Sequence, residues 1–170
     1  MFNKLIFHKH FVIYSMLSSI IIRIIWIILF QARPIDDFLW YYEHGINIAH
    51  GDGYTTYGVL TARWSIEYPG FLGIIFYLFD SSILVAQIAN IILYTGVILC
   101  AFYCSKILFH SEYAARITLL LLICYPNHIA YSSLIATEIF FTSLLMLGSL
   151  VLFISKNRIS YLILSGFFLV

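Results

Sequence analysis

The run FVIYSMLSSIIIRIIWIILF, residues 11–30, decides the class of fold. A single charge, Arg23, interrupts it. As an α-helix it reaches about 30 Å, the thickness of one hydrocarbon core. Lys4, His8, Lys9 and His10 precede it, and no small-residue cleavage site follows. It reads as an uncleaved anchor, helix 1 (11–30), with a cytoplasmic N-terminus. Composition agrees. Hydrophobic residues make up 62% of the chain and charged residues 10%, whereas soluble domains carry about a quarter charged. This implies an all-α, polytopic, integral membrane protein. A net charge of +1 points to no nucleic-acid partner.

Arg23 lies about two turns inside the far end of this span, where a guanidinium is costly. It either snorkels outward or meets an anionic group, such as a lipid phosphate or a nearby Asp.

Directly after helix 1 comes Pro34-Ile35-Asp36-Asp37-Phe38-Leu39-Trp40-Tyr41-Tyr42. Adjacent carboxylates repel, and a cation or a bound proton relieves the repulsion. Asp after Pro is also a common helix cap. One of the pair is therefore expected to cap and the other to be available for chemistry. The outer loop, residues 31–82, holds Asp36, Asp37, Glu43, Asp52, Glu67 and Asp80, six of the eight acidic residues in the chain. Within it, 37–50 reads as a short helix stopped by Gly51-Asp52-Gly53. Its Trp and Tyr residues place it in the plane of the interface, and His44 and His50 read as interfacial side chains. Residues 54–66 read as a polar loop. A second stretch, 69–79, is headed by Pro69 and reaches only about 16 Å as a helix, too short to cross.

Charge supports that layout. With 69–79 in plane, Lys106, His110, Arg116, Lys156 and Arg158 all fall on the cytoplasmic side; with it crossing, they would all lie outside. The remaining spans are helix 2 (83–105), helix 3 (117–136), helix 4 (139–155) and an incomplete helix 5 (159–170), about five in all. The chain reads as the front of something longer. Pro126 breaks helix 3, and a break at membrane depth needs protein or a wet cavity around its freed backbone. Asn127, His128, Tyr131, Ser132 and Ser133 gather there, followed by Thr137 as a cap and Glu138 in the first turn of helix 4. Gln87 and Asn90 share a face of helix 2 and read as interhelical glue. Cys100, Cys104 and Cys124 sit in apolar runs and read as packing residues.

The order of these features resembles the front of the GT-C glycosyltransferases. It is most similar to the protein O-mannosyltransferase and lipid A aminoarabinose transferase group. The resemblance is carried by Asp37 four positions before Tyr41, by Gly51-Asp52-Gly53-Tyr54, and by Glu67-Tyr68-Pro69-Gly70 heading the second in-plane helix. It is also carried by Tyr131-Ser132-Ser133 followed by Thr137-Glu138. Where that group commonly has Pro-Pro-Gly, this chain has one Pro fewer. The two in-plane helices match the group's juxtamembrane helices.

The resemblance implies an inverting transferase of the bacterial inner membrane, active on its outer face. The donor would be a polyprenyl-phosphate sugar and the acceptor a glycan, lipid or protein. Asp37 would be the general base, with Asp36 as runner-up. Arg23, Arg63, His128 or a divalent ion would meet the departing phosphate. Tyr41, Glu67 and Glu138 would line the outer pocket. Asp36, Glu67 and Glu138 are oxygen ligands suited to Mg²⁺ or Mn²⁺, although some relatives need no metal. Two rival readings stand beside this one: an inactive fragment or assembly partner, and a transporter or flippase component. Transport calls for ionisable groups at mid-depth in several spans, and here Arg23 alone lies within one.

Overall fold

The computed structural model describes residues 9–155 and Gly166. The expected helix 5, 159–170, falls outside the described residues apart from that glycine, as do Lys4, Lys156 and Arg158. In chain order the elements are α1 (Phe11–Leu29), α2 (Asp36–His50), β1 (Thr55–Thr56), β2 (Val59–Leu60), α3 (Glu67–Leu78), α4 (Ile83–Phe109), α5 (Glu112–Ile123), α6 (Pro126–Tyr131) and α7 (Thr137–Ile154). The fold is mostly helical. Three helices, α1, α4 and α7, are long and apolar enough to cross a membrane.

On α1 the buried residues are Phe11, Ser15, Ser19, Arg23 and Ile27, one every fourth position. That spacing is one ridge of an α-helix, and its two serines allow close approach to the neighbouring helices. Ile13, Leu17, Ile21, Ile24 and Ile28 face outward and are exposed. An apolar outer surface of this kind suits a lipid surround. The interhelical core joins Tyr94, Val97, Ile98 and Phe102 of α4 to Ala115, Leu119 and Ile123 of α5 and Ile139 of α7.

Helix 3 is not one helix over 117–136. It starts earlier, at Glu112, where Ser111 caps it by accepting from the Ala114 N–H at 3.3 Å. It ends at Ile123, and α6 begins at Pro126, whose missing N–H costs nothing at a first helical position. The chain then unwinds until Thr137. The freed carbonyls are taken up by a polar stripe on α4. Gln87 donates to Ser133 O at 3.0 Å, Asn90 to Leu134 O at 2.7 Å, and Tyr94 to Leu122 O at 2.8 Å. Gln87 and Asn90 thus tie α4 to the unwound segment before α7 rather than to another helix, and Tyr94 extends the stripe by one turn.

Helices α2 and α3 pack side by side and run the same way: Tyr41 meets Tyr68, Gly45 meets Leu72, and Ile48 meets Gly73. Two glycines permit this. A Cβ on Gly45 would lie 2.9 Å from Leu72 Cβ, and one on Gly73 would lie 2.5 Å from Ile48 Cγ2. The segment between them, read as loop, brings the chain back to the starting end. It contains a two-residue ribbon with Thr55 opposite Leu60 and Thr56 opposite Val59. Tyr57 (φ 53°) and Gly58 (φ 77°) form its turn. Gly51 (φ 88°) stops α2 as the sequence predicts, with Asp52 N–H bonded to Asn47 O at 2.9 Å.

Charge is segregated between the two ends. At one end Glu112 binds Lys106 at 2.6 Å and Arg116 at 3.0 Å, and Arg116 lies over the Phe11 ring at the start of α1. The other end holds Asp36, Asp37, Glu67 and Glu138 at the starts of α2, α3 and α7.

Candidate functional site

Three helices start together at the acidic end, each with acid in its first turn: Asp36 and Asp37 on α2, Glu67 on α3, Glu138 on α7. A helix N-terminus carries partial positive charge and stabilises ionised carboxylates. The expected caps are not there. Ile35 is the N-cap of α2 and Ala136 that of α7, and neither has a capping side-chain bond. Both helices begin one residue earlier than a capping Asp or Thr would need. Asp36 takes a left-handed φ of 48°, and both aspartates stay exposed.

Adjacent residues on a helix point about 100° apart, which separates the pair. Asp37 shares a face with Tyr41 and Asp36 with Trp40. On the Asp37 side the ring of Tyr41 packs edge-on to Tyr68 at 5.6 Å, and Tyr68 packs on Phe140 of α7 at 5.7 Å. Trp64 closes the cluster against Trp40 and Tyr41. Burial, then Asp37 and Glu138, push the Tyr41 phenol upward. Burial, then Glu138, push Tyr68 further up. Burial, then Tyr41 and Glu67, raise Tyr54. Asp37 and Glu138, from two helices, thus both act on Tyr41, while Glu67 acts on Tyr54. Tyr68 Oη and Asn90 Oδ1 are buried beside this knot without hydrogen-bond partners.

Arg23 and His128 come together elsewhere, deeper along α4. Arg23 is 0% exposed, so it does not snorkel. It does not reach the Asp pair either, and no carboxylate pairs with it among the described residues. Ser19 sits one turn away and holds Nη1 at 2.7 Å, while Tyr94 lies under the guanidinium at 3.8 Å. These contacts draw the side chain inward against α4. Its Nε and Nη2 have no hydrogen-bond partner among the described residues. His128 meets the Tyr94 edge at 5.0 Å, and its Nδ1 is likewise buried and unpartnered.

His44 is buried rather than interfacial. Its ring nitrogens are held by Trp40 O at 2.8 Å and Thr56 Oγ1 at 2.9 Å. Arg63 lies in a cup beside the ribbon, lined from α2 by Trp40, Glu43 and Asn47. Asp36, Glu67 and Glu138 do not close into a ligand set: among the described residues no three His, Cys, Asp or Glu side chains come within metal-binding range of one another. The sequence reading missed Tyr68 and Tyr94. Tyr94 was accessible as the third member of the 87–90–94 stripe; Tyr68 carries no such signal.

No protein-family model, curated protein or solved structure matches the chain.

Proposed function

We propose that the chain is part of a membrane glycosyltransferase that takes a sugar from a polyprenyl-phosphate donor. The observation that carries this reading is the approach of Asp37 and Glu138 to Tyr41, with Arg23 and His128 gathered about Tyr94, one turn beyond Asn90 on α4. Carboxylates at the water-facing end suit proton removal from an attacking acceptor. A cation at membrane depth suits the phosphate of a lipid carrier. In this reading the acidic end faces the periplasm of a bacterial inner membrane, and the end bearing Lys106 and Arg116 faces the cytoplasm.

The mechanism is a single inverting displacement. The acceptor hydroxyl or amine attacks the anomeric carbon, the bond from that carbon to the phosphate oxygen breaks, and the acceptor proton passes to the Asp37 carboxylate. The lipid phosphate leaves with its electron pair and is met by positive charge.

Transfer of labelled sugar from a polyprenyl-phosphate donor, in membranes holding the native gene product, tests this. Transfer that disappears in Asp37→Asn, at equal abundance, supports the assignment. Equal transfer with Asn at 37 removes Asp37 as the base. No transfer from any of several donor sugars moves the reading to an assembly partner.

A further inference from the structure

A cup of about 580 Å³ opens between α2 and the β1–β2 ribbon. Its volume falls within the range of small-ligand sites. Trp40, Glu43 and Asn47 line one wall, at the spacing of a single helix face. The ribbon side supplies Thr56, Tyr57 and Arg63. The walls are locked together: His44 bridges to Thr56 Oγ1 at 2.9 Å, and Asn47 Nδ2 donates to Thr55 O at 2.9 Å. The cup is therefore preformed.

Its rim carries an unexplained cost. Tyr57 holds a left-handed φ of 53° in a tight turn where Asn or Gly is the easy choice, and its ring is fully exposed. A bulky residue in that conformation is disfavoured, and such strain gathers at binding sites.

We propose that this cup binds a saccharide unit, which would be a sugar of the acceptor; only that last step rests on the transferase reading. The chemistry of the lining favours a sugar over other ligands. A pyranose offers flat C–H faces ringed by hydroxyls, and it needs aromatic surface beside donors and acceptors of both signs. Trp40 and Tyr57 supply the first; Glu43, Asn47, Thr56 and Arg63 supply the second. A phosphate would meet the Glu43 carboxylate, and an acyl chain would bury these polar groups unpaired. Trp40 lies one turn after Asp36, so a bound sugar sits on the Asp36 face of α2, about a quarter turn from Asp37.

The test is saturation-transfer NMR on the chain in lipid nanodiscs, without donor, using methyl glucopyranoside, methyl glucosaminide and methyl glucuronide as probes. Wild type is expected to saturate the ring protons of at least one probe. The Glu43→Ala/Arg63→Ala variant, both positions exposed, is expected to bind it about fivefold or more weakly, as loss of direct hydrogen bonds implies. Asp52→Asn, an acidic neighbour outside the cup, keeps wild-type binding. No saturation of any probe, or equal saturation in the double variant, overturns the proposal. Sugar binding together with failed transfer in the donor assay would leave the cup standing and remove the transferase.

Discussion

The two polar clusters differ in one respect that explains most of the rest. At the acidic end, Asp36, Asp37, Glu67 and Glu138 are exposed at helix N-termini. One helical turn along α4 from Asn90, Arg23 is enclosed and His128 half-buried, with three nitrogens lacking hydrogen-bond partners among the described residues. Water or headgroups can satisfy the first cluster. The second has Ser19, the Tyr94 ring and little else. In the proposed transferase, the solvated acids would move protons and the desolvated cation would hold the donor's phosphate.

The largest expected effect lies within the acidic end. Asp37 and Asp36 are neighbours in sequence but face different ways. Asp37→Asn should lower transfer by about 10²–10⁴, the usual worth of a general base. Asp36→Asn should cost far less. Equal losses, read in the same donor assay, would erase the distinction between the two faces.

Next comes the support beneath the acids. Gly73→Ala forces a Cβ onto Ile48 and should cost about 1–3 kcal/mol, seen as a lower melting midpoint in detergent. Adding Ile48→Ala should cost less than the sum of the two single changes, because both act at one contact. Strict additivity would separate the two helices.

A smaller effect concerns pH. Tyr68 is raised by burial first and Glu138 second, so the folded chain keeps its proton to higher pH than the unfolded chain. That stability is complete below the ordinary tyrosine value of about 10 and is lost as pH rises past it. Alkaline melting curves should show the slope, and Tyr68→Phe should flatten it.

The smallest change in stability is expected at the second cluster. Arg23→Met removes a buried charge that has no carboxylate partner among the described residues, so the melting midpoint should hold or rise. Donor KM should rise at the same time if the guanidinium meets lipid phosphate. A loss of about 3 kcal/mol or more would expose a charge partner for Arg23.

Long elements were legible because their signals are local. The apolar run sets α1, Gly51 stops α2, and Pro126 restarts the chain as α6. The polar pair Gln87 and Asn90 announced a contact of α4, though its partner is the unwound segment before α7. What was not legible depends on neighbours distant in sequence. Whether Arg23 turns inward depends on Ser19 and on Tyr94, which lies on another helix. Gly45 and Gly73 reveal their purpose only when α2 and α3 run the same way. The Asp pair looked like a cap because Pro34 precedes it; the helix instead opens at Asp36, and that register turns Asp37 toward Tyr41. The Tyr57-Gly58 turn was hidden because the strands it joins are two residues each.

Sealed vesicles of each orientation, supplied with labelled polyprenyl-phosphate sugar and an impermeant acceptor, test the central claim most directly. Transfer is expected when the acidic end faces the acceptor and none in the opposite orientation, with Asp37→Asn silent in both. Transfer from the side bearing Lys106 and Arg116, or transfer that persists in Asp37→Asn, would contradict it.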